Sequence, residues 1–216
     1  MSDPIGLFGG TFDPIHRAHL RLAQAFRDEL GLAEIRLIPA GLPYHRGSGP
    51  QASPAQRLEM VRLALQGESG LCVDAREVAR PRPAYTIETL EEVRAELGPT
   101  AELWFLIGGD SLAQLHTWHR WHELFDCANM AVALRPGFSL DQLPAPVREE
   151  WCARQVTDFS KRTPSGTIRP LALTPVEMSA TAIRQRLAQG QDVSAELCPA
   201  VLAYIRQHGL YRKRQD

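Results

Sequence analysis

The chain has 216 residues, 44% apolar and 23% charged, enough to bury a sizeable core and in the size range of one α/β domain. Its 24 Lys and Arg balance 25 Asp and Glu to a net charge of −1, which excludes a broad basic face for nucleic acid or an anionic membrane. An anionic substrate must therefore be held by locally placed groups. The N-terminus runs directly into a strand-like segment, and no apolar run approaches bilayer-spanning length, so the chain reads as a cytoplasmic protein with no membrane or nucleic-acid partner.

Short apolar runs alternate with segments of helical period, which predicts βαβ units and a mostly parallel, doubly wound sheet with helices on both faces. Six strands are expected, at 5–8, 35–39, 72–74, 103–107, 130–134 and 168–173. Between the first two, Leu20, Leu22, Ala23, Phe26 and Leu30 recur at helical spacing, with Gly31 as a left-handed stop. Ser53 followed by Pro54 reads as an N-cap and first helical residue, opening a helix that runs to about Leu65. Helix is also expected at 87–97, 181–189 and 199–208, the last ending at Gly209. Prolines bracket one helical piece at 147–154 inside the less regular stretch 136–166, an excursion on the same domain. The whole chain, 1–216, reads as one domain whose part from about residue 175 is a small helical region, and the basic end Tyr211-Arg212-Lys213-Arg214 reads as solvated tail. Cys72, Cys127, Cys152 and Cys198 are scattered without a C-x-x-C pair and read as small hydrophobes in preference to a zinc site.

Chemistry concentrates after the first strand. There, Gly9-Gly10 is expected to let the chain turn tightly and present bare backbone N–H groups to anionic oxygen. Asp13-Pro14 is expected to start a helix whose positive end favours phosphate at the carboxyl edge of the sheet. His16 and His19, three residues apart, would then share one helix face, each able to donate to a phosphoryl group in transit. No H-E-x-x-H or cysteine cluster completes a metal site around them. Near the other end, Ser179 fits an N-cap, with Thr181 in the first helical turn and Arg184 one turn on, so hydroxyls, N–H groups and a guanidinium can converge on phosphate. Each feature alone is as well explained by an ordinary turn or a capped helix; their combination is not.

The first segment, Gly9-Gly10-Thr11-Phe12-Asp13-Pro14-Ile15-His16-Arg17-Ala18-His19, resembles the G-G-x-F-D-P-x-H-x-G-H signature of the nucleotidylyltransferase superfamily, with Ala18 in place of glycine. Met178-Ser179-Ala180-Thr181-Ala182-Ile183-Arg184 resembles its second signature, I-S-S-T-x-I-R, with Ala180 in place of serine. Three further segments resemble the nicotinate-nucleotide adenylyltransferase family. Pro39-Ala40-Gly41-Leu42-Pro43-Tyr44-His45-Arg46 resembles P-x-x-x-P-x-H-K, with arginine for lysine; Tyr85-Thr86-Ile87-Glu88-Thr89-Leu90 resembles Y-T-I-D-T-L; and Gly108-Gly109-Asp110-Ser111-Leu112, with Leu115 and Trp118, resembles G-x-D-S-L-x-x-L-x-x-W. Arg135-Pro136-Gly137 is similar to the family's R-P-G.

The resemblance implies adenylyl transfer from ATP, with Mg²⁺ on its phosphates, to nicotinate mononucleotide, giving nicotinic acid adenine dinucleotide and pyrophosphate. It implies ATP contacts at Gly9, Gly10, Thr11, Phe12, His16, His19, Gly108, Asp110, Arg135, Ser179, Thr181, Ile183 and Arg184, with His16, His19 and Arg184 in the chemistry and no metal ligand among the protein side chains. It implies acceptor contacts at Gly10, Thr11, His45, Arg46, Tyr85, Thr86, Trp118 and His119. The physical reading agrees, because a nicotinate ring needs a flat apolar surface, which Trp118 can give. Its carboxylate needs donors, available from Thr86 at a helix start and from the backbone N–H of His119, whereas Trp121 reads as packing. Asp110 is a candidate for ribose hydroxyls and Arg135 for the neighbourhood of adenine. Two alternatives stand beside this reading: another acceptor, nicotinamide mononucleotide or phosphopantetheine, and a nucleotide sensor without catalysis. Nothing in these residues specifies whether the protein forms a homo-oligomer.

Overall fold

The computed structural model describes residues 3–42, 49–135, 137–158, 162–172 and 178–212. Six strands form one sheet: β1 (Ile5–Gly10), β2 (Glu34–Pro39), β3 (Leu71–Val73), β4 (Leu103–Gly108), β5 (Asn129–Ala133) and β6 (Ile168–Pro170). All pairings are parallel and the order is β3-β2-β1-β4-β5-β6. The order reverses between β1 and β4, which opens a crevice at their carboxyl ends where α/β sheets bind ligands.

Nine helices accompany the sheet among the described residues: α1 (Arg17–Leu30), α2 (Pro54–Ala64), α3 (Arg76–Ala79), α4 (Thr86–Leu97), α5 (Gly109–Ala113), α6 (Leu124–Cys127), α7 (Ala145–Arg154), α8 (Ala180–Ala188) and α9 (Pro199–Gln207). None is long and apolar enough to cross a membrane. Alternation along the strands sorts side chains to two cores. Phe8, Leu37, Trp104, Leu106 and Ala131 face α1, α2, α8 and α9 through Ala23, Phe26, Met60, Val61, Ile183 and Val201. Leu7, Ile38, Phe105, Ile107 and Val132 face α4, α6 and α7 through Ile87, Leu90, Phe125 and Trp151.

The expected strands and long helices are all present, and their ends follow the local chemistry. Gly31 closes α1 in the left-handed region at φ 60°, as read from sequence. Helix α7 starts two residues earlier than expected because Pro146 sits in its first turn, where a missing N–H costs nothing, instead of bracketing it from outside. The last strand is shorter than expected and ends at Pro170 on the sheet edge, although the Leu171 N–H still donates to the Val132 carbonyl at 2.9 Å. The short helices α3, α5 and α6 have too few turns to leave a period in sequence.

The C-terminal end departs from expectation. Tyr211 is 6% exposed and belongs to the core shared by α1, α2, α8 and α9, so this residue is anchored in the fold and is not solvated tail, whereas Arg212 is exposed as expected.

Helix α2 tests how far local signals set this fold. The Ser53 hydroxyl accepts from the Gln56 N–H at 3.2 Å, while the Gln56 side chain accepts from the Ser53 N–H at 2.9 Å, a reciprocal cap. Ser53→Ala is expected to lower stability by about 1 kcal/mol, read as a lower denaturation midpoint with unchanged slope.

Candidate active site

The crevice at the ends of β1 and β4 opens into a cleft of about 530 Å³, lined among the described residues by Phe8, His16, Ala18, His19, Arg21, Leu22, Gly108, Gly109, Asp110, Ala133, Arg135, Met178, Ser179 and Ala180. It brings together residues 162 positions apart in sequence, from His16 to Met178. Ala18, Met178 and Ala180, the three positions where the two signatures depart from their family patterns, all line it.

The local route into the site differs from the expected one. Gly9 and Gly10 do not turn; they remain in β1, in register with Ile38 and Pro39 of β2. The chain leaves the strand at Thr11 and Phe12, with Phe12 in the left-handed region at φ 49°, and the turn falls on Asp13 and Pro14. Gly10 is needed for space, since a Cβ there would lie 2.9 Å from the Phe12 ring. Nor does a helix start at Asp13-Pro14: α1 begins at Arg17 with His16 as its N-cap. The Arg17 N–H donates to the Glu196 carbonyl at 2.8 Å, so the first free donor of that helix is already taken by the C-terminal region.

Asp13 has a structural part instead. It is 4% exposed, and its carboxylate accepts from the N–H groups of Gln51 at 2.8 Å and Ala52 at 3.2 Å and from the Tyr211 hydroxyl at 2.6 Å. Its carbonyl accepts from Nη1 of Arg184 at 2.7 Å, and Arg184 Nη2 donates to the Thr181 hydroxyl at 3.2 Å. The two signatures therefore touch. Arg184 Nε is buried and has no partner among the described residues.

His16 and His19 stack, with ring centroids 3.7 Å apart and planes 19° from parallel. The His16 backbone N–H donates to Nδ1 of His19 at 3.2 Å, which makes that nitrogen the acceptor and leaves the proton of the neutral ring on Nε2. Burial pushes the His16 pKa down to about 4, partly offset by a backbone hydrogen bond. Burial, then the charge of a protonated His16, hold His19 well below its ordinary value. At neutral pH both rings are neutral donors and not imidazolium ions.

The remaining sequence-derived residues divide. Gly108, Asp110, Arg135 and Ser179 line the cleft with the histidines, and Asp110 pairs with Arg135 at 3.6 Å across its exposed rim. Two residues assigned to ATP have their side chains in the core: Phe12 is 2% exposed and packs edge-on against His19, and Ile183 is 2% exposed, so either one meets a ligand only through backbone. Thr86 is the first residue of α4, as expected. Tyr85, Trp118 and Trp121 pack half-buried on the α4 side of the sheet, Trp118 edge-on to Phe105, and the His119 ring lies 4.3 Å from that of Tyr85. His45 and Arg46 lie outside the described residues.

Sequence reasoning missed Arg57. It is fully buried, and its guanidinium donates to the carbonyls of Thr11 at 2.7 Å and Gly41 at 2.9 Å, pinning the turn after β1 to the segment after β2. Gly41 must be glycine, because a Cβ would come 2.1 Å from the Glu77 carbonyl oxygen. The signal was available, since Arg57 falls on the stripe with Met60, Val61 and Ala64, where a charge has no place unless it is paired. Arg21 and Met178 were also missed as cleft residues, and Leu22, read as core, packs half-buried against the core as expected and also borders the cleft.

Comparison with known proteins gives a consistent picture. The cytidylyltransferase-like family model matches residues 7–186. A Chromobacterium violaceum protein named "probable nicotinate-nucleotide adenylyltransferase" is 63% identical over 98% of this chain and 100% of its own length. One of the same name from Laribacter hongkongensis is 57% identical over 96% of this chain and 94% of its own. Among solved structures, a Plasmodium falciparum nicotinic acid mononucleotide adenylyltransferase complexed with NaAD shares the fold at a TM-score of 0.74 and 17% identity, covering 97% of this chain and 98% of that one.

The buried histidine pair predicts a pH signature. Since His16 titrates near 4 when folded and near 6.5 when unfolded, the unfolded chain binds the proton first on acidification, and stability falls as pH drops from about 6.5 to 4. NMR titration of the unliganded protein should place the His16 midpoint near 4, and a midpoint near 6.5 would contradict the geometry.

Proposed function

The chain belongs to the nicotinate-nucleotide adenylyltransferases of the cytidylyltransferase-like family, and from that premise we propose how its own residues carry out the reaction. The enzyme transfers the AMP unit of ATP to nicotinate mononucleotide in NAD biosynthesis. An oxygen of the acceptor 5′-phosphate attacks the α-phosphorus; a new P–O bond forms as the bond to the bridging oxygen of the β-phosphate breaks, and pyrophosphate leaves. The observation that carries the residue-level reading is the neutral, stacked His16–His19 pair at the cleft wall, with the proton of His19 on Nε2.

Charge grows on the phosphoryl oxygens and the leaving group in such a step, so the protein has to supply aligned donors more than covalent chemistry. His19 Nε2–H and the His16 ring donate to the transferring phosphate. They do so without charge in the unliganded site, which costs less burial energy than two adjacent imidazolium rings. Arg184, with Thr181 and the N-cap Ser179, receives the β and γ phosphates, and its Nε, without a partner among the described residues, is a donor in reserve for one of their oxygens. Asp110 and Arg135 at the rim take the ribose and the neighbourhood of adenine, while backbone groups of Gly9, Gly10, Thr11 and Phe12 border the reacting phosphates.

The nicotinate end falls to Tyr85, Thr86, Trp118 and His119 on the opposite face of the sheet, so the two substrates approach across the crevice between β1 and β4. His45 and Arg46 are assigned to the acceptor phosphate. Asp110 is the one carboxylate among the described cleft residues and is held by Arg135, and no cluster of three or more metal-ligating side chains occurs among the described residues. Mg²⁺ fits as an ion carried on the ATP phosphates, where it would neutralise triphosphate charge.

With ATP and Mg²⁺, pyrophosphate release is expected with nicotinate mononucleotide well above that with nicotinamide mononucleotide or phosphopantetheine; no release with any acceptor would favour a sensor. His19→Ala should keep the fold and lower kcat by on the order of 10²- to 10³-fold, and near parental turnover removes His19 from the mechanism. Thr86→Ala should raise KM for nicotinate mononucleotide much more than KM for ATP, and equal weakening would count against that contact.

A further inference from the structure

The family match ends at residue 186, yet a residue 25 positions further on reaches the first signature. Tyr211 is buried, its ring belongs to the core shared by α2 and α9, and its hydroxyl donates to Oδ1 of Asp13 at 2.6 Å. Its backbone sits in the left-handed region at φ 62°, which a bulky side chain adopts only when its surroundings hold it there. The protein thus spends backbone strain near its C-terminal end to place one hydroxyl.

We infer that Tyr211 is a positioning residue for adenylyl transfer: by satisfying the Asp13 carboxylate, it keeps that carboxylate from capturing the Arg184 guanidinium. This deepens the reading above and rests on it. In the present arrangement Asp13 draws on three donors, the Gln51 and Ala52 N–H groups and the Tyr211 hydroxyl. Arg184 Nη1 bonds to the Asp13 carbonyl, while the carboxylate oxygen Oδ2 stays 3.8 Å away, outside hydrogen-bond range. Burial, and then the neighbouring Asp13, push the Tyr211 phenol far above its ordinary range, so the hydroxyl remains protonated and able to donate.

Removing the hydroxyl leaves a buried negative charge short of a donor. Arg57 is already spent on the carbonyls of Thr11 and Gly41, whereas Arg184 Nη1 stands 3.8 Å from Oδ2; it would close onto the carboxylate as a hydrogen-bonded ion pair and be withdrawn from the triphosphate. The loss is therefore specific to the ATP side of the reaction.

The test compares the parent enzyme with Tyr211→Phe, which keeps the ring and its packing, at a temperature where thermal melts show both folded. Pyrophosphate release by the parent from ATP and nicotinate mononucleotide establishes the activity independently of Tyr211. The variant is expected to lose about tenfold in kcat/KM for ATP and in calorimetric affinity for a nonhydrolysable ATP analogue, the scale of one hydrogen bond to a charged group, with KM for nicotinate mononucleotide shifted less than about twofold. In an Asp13→Asn background, where no charge draws Arg184 across, Tyr211→Phe should cost less than about twofold more. A folded Tyr211→Phe with parental kinetics, an equal loss toward both substrates, or the same loss in the Asp13→Asn background would each overturn the inference.

Discussion

A carboxylate withdrawn from water is tolerable only where its oxygens are met by donors, and at Asp13 those donors arrive from widely separated parts of the chain: residues 51 and 52 ahead of α2, and Tyr211 beyond α9. The main-chain carbonyl of the same residue receives Arg184 from α8. Arg57 repeats the device one step away, holding the carbonyls of Thr11 and Gly41 from a fully buried position. The turn after β1 is thus tied to the segment after β2, to α2, to α8 and to the C-terminal end before any substrate arrives. Transfer between two anions depends on alignment, and these buried polar contacts set the alignment in advance.

Neutral histidines suit that arrangement. Two protonated rings stacked at 3.7 Å would repel and would carry a large desolvation cost, whereas two neutral rings stack at little cost and still offer N–H donors. Donors that already point at the reacting phosphate need no reorganisation when charge develops on it. Among the described residues lining the cleft, positive charge sits on Arg21 and Arg135, with Arg135 3.6 Å from the Asp110 carboxylate, while Arg184 is held on the Asp13 main-chain carbonyl. Ala18, Met178 and Ala180 line the same cleft, so all three departures from the two family signatures alter one surface.

Much of this was legible in the sequence because it is local. Period and capping residues located all six strands and the long helices; Gly31, Ser53-Pro54 and Ser179 act at short range, where neighbouring residues decide the backbone. The motif residues His16, His19, Gly108, Asp110, Arg135 and Ser179 were named from the sequence and meet at one cleft. Those misread were residues whose role depends on distant partners. Gly9-Gly10 looked like a turn because two glycines permit one, but pairing with β2 holds them in a strand. Asp13-Pro14 looked like a helix start because the pair is common there, but three donors from elsewhere take the carboxylate inward.

The sequence by itself determined the element order, the alternation that makes a covered parallel sheet, and the chemical groups available for phosphate and nicotinate. These follow from periodicity and from side-chain chemistry, which are properties of neighbouring residues. Only the tertiary structure decided which of those groups are neutral, which face the cleft and which are spent holding it open. The stacked histidines, the Arg57 clamp and the Tyr211 hydroxyl on Asp13 are contacts across the fold, set by burial and by the need to satisfy every polar atom taken out of water, and no local pattern encodes them.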